Sequence, residues 1–322
     1  MRWLILLLPP VLILGVMFGE VYIPPQYILH PTGVYGEILL DIRLPTVVAS
    51  ALIGAILAIS GAVMQLLFRN PLMDPYVSGT ASGGAFGAVL SYFLLAFNLP
   101  FYWVAYFSPL VAFVFSMVST LLTLAVGRRT GVYGMVIGGV VVSYIFSSLV
   151  TIMLTELTLR FPQVPPLNFW LLGEIEVVGW RYDLVLALFL SLIFLVGIRT
   201  SRMIDLSSVS DDMTLSKGVD PQRFRIMWVI LISLAVAFIV SIAGIIGFVG
   251  IIVPHIVRTF ASGSATRLVP YSGLLGMIIM ISSQIVSNGV LGFKIPLTAI
   301  TSLMASPIIV MVLVKGIAYS GS

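Results

Sequence analysis

The sequence predicts an all-α integral membrane protein with ten spanning helices and both termini in the cytoplasm. Three observations carry that reading. Of 322 residues, 60% are hydrophobic and only 9% are charged, against roughly 25% charged in soluble chains. Residues 47–68, 76–127, 130–155, 226–254, 268–293 and 295–314 contain no Asp, Glu, Lys or Arg. The cations that remain cluster on one side of the predicted spans. A spanning helix needs about 20 apolar residues, and backbone amides in lipid must be satisfied within their own segment. No alternating pattern of a membrane β-barrel is present.

In chain order, the first span is placed near 3–19. Arg2 followed by an apolar run to Phe18 resembles a signal peptide, but no small-residue cleavage site follows, so the segment is read as retained. Further spans are placed near 45–68, 76–97, 103–126, 132–155, 184–200, 224–243, 246–261, 268–291 and 296–315. The 76–127 run is too long for one helix and breaks at Asn98-Leu99-Pro100. Residues 226–257 read either as one long helix or as two short ones meeting at Gly244, Gly247 and Gly250. Charge decides between them. With ten spans, Arg43, Arg160, Arg181 and Lys294 lie outside and the other 12 of 16 cations, Arg128 and Arg129 among them, lie inside, as cytoplasmic enrichment of Lys and Arg requires. Merging the two segments worsens that ratio. No segment remains for a soluble domain, so residues 1–322 form a single membrane domain.

The composition also excludes chemistry. There is no cysteine, hence no disulfide or thiolate metal site. A net charge of +4 is not a nucleic-acid signal. No acid or base sits in the middle of a predicted span, which argues against proton- or sodium-coupled transport and charge-selective conduction. No Walker A sequence occurs, so active transport needs energy from another chain. Ser82 and His255 are the only pair resembling a nucleophile and base, without a third group to orient them. No metal site or cofactor is expected.

Two regions stand out. Ser78 to Gly87 and Gly54 to Ala62 are dense in small residues, which suits close helix packing or a neutral passage wall. In the 201–223 loop, Ser210 caps a short helix with Asp211 and Asp212 in its first turn, Met213 and Leu215 as apolar contacts, Lys217 in the last turn and Gly218 as the left-handed stop. Such a helix is marginal alone and must be held by its own membrane domain or by a cytoplasmic partner. Spacing leaves these two equal.

Ser60-Gly61-Ala62-Val63-Met64-Gln65 followed by Arg69-Asn70-Pro71-Leu72-Met73-Asp74-Pro75 resembles the SGxxxQxxxRNPLAxP signature of the FecCD/BtuC-type permeases. A second block, Gly244 to Gly250 followed by Pro254, His255 and Arg258, is similar to GxIGFVGLxxPHxxR. Arg43-Leu44-Pro45, Trp170 to Gly173, Pro296, Thr301 and Pro307 match as well. The resemblance implies a BtuC-like type II ABC importer permease, the membrane subunit for ferric siderophore, haem, cobalamin or a related metal chelate. It implies a homodimer in the cell membrane, two ATPase subunits on the cytoplasmic face and a substrate-binding protein outside. Residues 206–219 become the coupling segment, which favours the partner-docked helix. Ser82, Gly83, Thr80 and Ser143 become candidates for the passage, and Arg43 and Lys294 for binding-protein docking. Departures are Thr46 for the second arginine of RLPR, Ser287 for an arginine near the end of the ninth span, Lys294 and Thr298 for the Glu and Gly of ExPVG, and Thr214 and Lys217 in the coupling segment. A secondary transporter or facilitator acting alone is the alternative.

Overall fold

The computed structural model describes residues 2–127, 131–161, 171–175, 179–261, 263–290 and 292–320. Arg128, Arg129 and Trp170 lie outside the described residues. Among those described, every regular element is helical and no strand occurs.

A helix occupies each predicted segment: Arg2–Met17, Leu44–Leu67, Thr80–Ala96, Ser108–Gly127, Gly131–Arg160, Trp180–Arg199, Pro221–Ala243, Val249–Phe260, Ala265–Ile285 and Leu297–Ser320. Six stretches are long and apolar enough to cross a membrane: Gly33–Leu67, Ala105–Gly127, Tyr133–Arg160, Trp180–Arg199, Pro221–Ala243 and Ala265–Val290. Four apolar helices are shorter: Leu4–Met17, Thr80–Ala96, Val249–Phe260 and Leu297–Val310. The 76–127 run breaks where expected, with Asn98 and Phe101 both at positive φ. The 226–257 segment is two helices. Gly244 ends the first at φ 67°, and Phe248 opens the second at φ 69°.

Several boundaries differ from the sequence reading. The third predicted span starts at Thr80, not 76, because Asp74 and Pro75 initiate a separate 3-10 turn, Pro75–Ser78, that ends on left-handed Gly79. The stretch 20–44 holds short helices at Pro25–Leu29 and Gly33–Glu37 and a π-helical turn at Ile38–Arg43. The sixth long helix begins at Trp180 rather than 184, which brings Asp183 into its first turn. The 201–223 loop contains an unanticipated helix, Ser201–Val209, ahead of the short one, which is only Asp211–Leu215. Lys217 therefore lies in the turn after that helix rather than in its last turn.

Internal contacts gather the chain into two compact units, where the sequence marks one membrane domain. The first comprises Met1–Val63, Ile175–Arg202 and Ile246–Ser322. Its core includes Val16, Ile23, Leu39, Val47 and Ile281. Helices here meet through bare backbone. A Cβ added at Gly61 would lie 1.9 Å from the Gly250 carbonyl oxygen, and one at Gly54 would lie 2.2 Å from that of Gly276. The second unit comprises Met64–Glu174 and Met203–Ile245. Ala85, Val89, Val150 and Leu157 form one of its cores, and the Phe86 ring meets those of Phe115 and Phe146 at 4.9 and 5.3 Å. Lacking side-chain attraction between apolar helices in lipid, such close approach is what small residues supply.

Candidate functional site

The 44–67 helix runs into a tight loop that carries the first motif. Arg69 takes the left-handed conformation at φ 51°, uncommon for a residue with a side chain. The turn is tied internally. The Asn70 N–H donates to the Gln65 carbonyl at 3.1 Å and the Leu72 N–H to Asn70 Oδ1 at 2.9 Å, while Gln65 is buried. Pro71 is exposed at the tip. Beside the loop opens a cavity of about 470 Å³ whose wall includes Arg69, Asn70, Tyr133 and Arg225. Asp74 follows, accepting the Tyr76 N–H at 2.8 Å. Burial pushes its carboxyl up to about 6 against that bond.

The 206–219 segment lies against this loop. Ser210 caps its helix as expected, accepting the Met213 N–H at 3.1 Å, and Gly218 ends the turn at φ 79°. Met213 and Leu215 are 45% and 54% exposed. Asp211 does more than face the helix dipole. It accepts from Arg225 Nη1 at 3.0 Å and Nη2 at 2.5 Å, and from Arg69 Nη2. The Arg225 bonds, reinforced by both positive charges, hold its carboxyl below the usual carboxylate range in spite of some burial. Arg225 was not singled out from sequence. Its only sequence signal is that it is the last cation, two residues after Arg223, before the charge-free body of its helix.

The 78–83 stretch is a knot of hydroxyls. The Gly79 carbonyl accepts from Ser119 Oγ at 2.7 Å, Ser82 Oγ at 2.9 Å and the Gly83 N–H at 3.1 Å. Ser78 Oγ lies 2.9 Å from Ser233 Oγ and 3.1 Å from Thr80 Oγ1. Thr80 is fully buried, and a Cβ on Gly83 would stand 2.4 Å from the Phe115 carbonyl oxygen. Close packing within this subunit therefore accounts for both Thr80 and Gly83. Ser82 and Ser143 remain half-exposed. The sequence reading missed a polar face on the 131–160 helix. Ser148, Thr151, Thr155 and Thr158 are exposed at helical spacing. Each donates to the carbonyl four residues earlier at 2.8–2.9 Å. Their protons are engaged, so they present oxygen lone pairs outward.

In the second motif, the Gly247 N–H donates to Thr298 Oγ1 at 3.1 Å, and Thr301 Oγ1 donates to the Gly247 carbonyl at 2.9 Å. The Thr298 departure thus supplies a hydroxyl partner for this turn. Gly250 abuts Gly61, Pro254 is buried, and His255 and Arg258 are half-buried on the same helix. Among the described residues, no three His, Asp or Glu side chains are grouped to hold a metal.

Arg43 is 6% exposed and donates from Nη1 to the Phe18 carbonyl at 3.1 Å and from Nη2 to that of Val21 at 3.0 Å. Its guanidinium ties down the 18–21 backbone of its own chain. Lys294 is half-exposed and pairs with Glu20 at 2.8 Å. Asp183 is 4% exposed, and neither carboxylate oxygen has a hydrogen-bond partner.

Long charge-free helices, bare-backbone contacts and a half-exposed hydroxyl face define a multi-pass membrane transport scaffold. The family model of the FecCD transport family matches residues 5–315, and the chain belongs to that family of permeases. Among its relatives, the probable iron chelatin transport system permease protein of Helicobacter pylori is 31% identical over 284 residues, covering 86% of this chain and 82% of the relative. The vitamin B12 import system permease protein BtuC of Vibrio vulnificus is 30% identical over 327 residues, covering 98% and 95%. A solved structure, "An inward-facing conformation of a putative metal-chelate type ABC transporter", superposes with a TM-score of 0.84 at 26% identity, covering 98% of each chain.

Proposed function

We propose that this chain is the membrane subunit of an ATP-driven ABC importer that carries a metal chelate, such as a ferric siderophore, haem or cobalamin, across the cytoplasmic membrane. The observation that carries the reading is family membership over residues 5–315, in a chain whose relatives bear iron-chelate and vitamin B12 names. Two copies of a ten-span subunit, with both termini in the cytoplasm, enclose one pathway. Two ATPase subunits sit beneath it and a binding protein above it. The six long and four shorter apolar helices support the ten-span count.

In this reading the exposed Met213 and Leu215 of the 211–215 helix meet the ATPase. A hydroxyl face exposed on one subunit is poorly suited to lipid, and a second copy or a wet passage would cover it. Ser82, Ser143 and the Ser148–Thr158 face therefore form the passage wall. Hydroxyls whose protons are already bonded offer weak, uncharged contacts, which let a bulky chelate through without holding it. Lys294, with Glu20, is the remaining outer candidate for docking the binding protein.

The test is deletion of 210–218 in cells that depend on this importer. Loss of uptake with the permease still present in the membrane is the expected result. Undiminished uptake would favour a carrier acting alone.

A further inference from the structure

The 211–215 helix has five residues, far below the ~12 at which a helix is even marginal in water. Its position must be set from outside. Thr214 is fully buried, with its hydroxyl 3.0 Å from that of Ser207, which seats the helix but joins it only to its neighbour in the chain. The longer-range ion pairs of this segment run through two arginines. Arg225 receives the Asp211 carboxylate on Nη1 and Nη2 and donates from Nε to the Leu67 carbonyl at 3.0 Å. Leu67 ends the 44–67 helix, whose last carbonyls have no partner within the helix. Arg69 bonds the same carboxylate and donates from Nε to the Ser207 carbonyl at 2.9 Å. Arg225 itself belongs to the second turn of the 221–243 helix. One carboxylate thus joins the ends of the 44–67, 201–209 and 221–243 helices.

A capping cluster that merely stabilises the fold would have no need of this chemistry. The Arg225 side chain is 4% exposed, and burying a guanidinium is costly enough that apolar packing often serves stability as well or better. What a bidentate arginine–carboxylate pair adds is a fixed distance and a fixed angle. It is a stiff link where apolar contacts would slide. The apolar Met213 and Leu215 point outward from the same helix that Asp211 anchors inward.

We infer that Arg225 is a positioning residue for transport: through Asp211 it converts displacement of the 211–215 helix into movement of the 44–67 and 221–243 helices, with Arg69 as a second, parallel link. This rests on the importer reading above.

The test measures ATP hydrolysis and chelate uptake in the same vesicles, with permease, ATPase and binding protein reconstituted together. Arg225→Gln is expected to lower uptake per ATP about tenfold, the size of a typical coupling energy, with the ATPase still co-purifying. Arg225→Lys should recover part of that ratio, and Arg69→Gln should give a smaller loss. An unchanged uptake per ATP in Arg225→Gln, or a parallel fall of both rates, would overturn the inference and leave Arg225 a stabilising residue. If Arg225→Gln does not fold, an unchanged ratio in Arg69→Gln overturns it. Wild-type vesicles in which uptake ignores ATP would instead refute the importer reading itself.

Discussion

Replacing Gly61 by alanine tests whether this fold depends on backbone-to-backbone contact. The added Cβ would lie 1.9 Å from the Gly250 carbonyl oxygen and 2.5 Å from its carbon. Contacts under 3.0 Å essentially never occur for real Cβ atoms, so the 44–67 and 249–260 helices must part by roughly 1 Å. No rotamer can relieve this, because both opposing atoms are main chain and Gly250 has no side chain to trim. Overpacking typically costs about 1–3 kcal/mol, and rigid walls on both sides place this case at about 3 kcal/mol. At about 2–4 °C per kcal/mol for large domains, the melting temperature of the detergent-solubilised protein should fall by roughly 6 °C or more. Two alanine substitutions serve as controls. Gly273→Ala meets only the Ile59 side chain at 3.0 Å, which can shift, and Gly263→Ala meets nothing within 4 Å. If Gly61→Ala melts with Gly263→Ala, the contact geometry proposed for these helices is wrong.

Three further outcomes follow from the same geometry. Arg43→Gln removes charge-assisted bonds to the Phe18 and Val21 carbonyls, each worth about 1.5–3 kcal/mol. It should cost thermal stability first, whereas a docking residue would lose binding-protein affinity with no change in melting. Asp183→Asn replaces a buried, unpartnered carboxyl with a neutral group of the same shape. Its melting temperature should equal or exceed that of the wild type, and a clear loss would mean that the carboxylate has a partner. For Asp74, the folded value near 6 lies above the ordinary 3.8. The folded state therefore holds the proton more tightly, and its contribution is complete below about 4 and lost as pH rises through 6. Melting followed from pH 4 to 6.5 should show that decline in the wild type and a flatter curve in Asp74→Asn.

The features legible in sequence were those with a local cause. Charge-free runs marked the helices because water-free surroundings leave the backbone no other choice. Asn98-Leu99-Pro100 and Gly244 marked breaks because those residues suit turns, and Ser210 and Gly218 marked the two ends of the 210–218 turn. Phe248 gave no such sign, since its positive φ is imposed by the fold. The Asp211 cluster was hidden for a different reason. Its partners stand 142 and 14 residues away, and no spacing rule links them. The burial of Arg43 was not legible because it depends on the 18–21 backbone folding back over it. For Thr80 and Gly83 spacing alone favoured packing, and the position of the 108–127 helix supplies the contacts that account for it. The hydroxyl face of the 131–160 helix went unnoticed because isolated Ser and Thr look alike whether they are buried or exposed.

The central claim is that this chain passes a metal chelate only when a separate ATPase hydrolyses ATP. The most direct measurement is uptake of a radiolabelled ferric hydroxamate or cobalamin into vesicles holding permease, ATPase and binding protein, compared with vesicles whose ATPase binds but cannot hydrolyse ATP. The account predicts accumulation in the first set and none in the second. Equal uptake in both would contradict it.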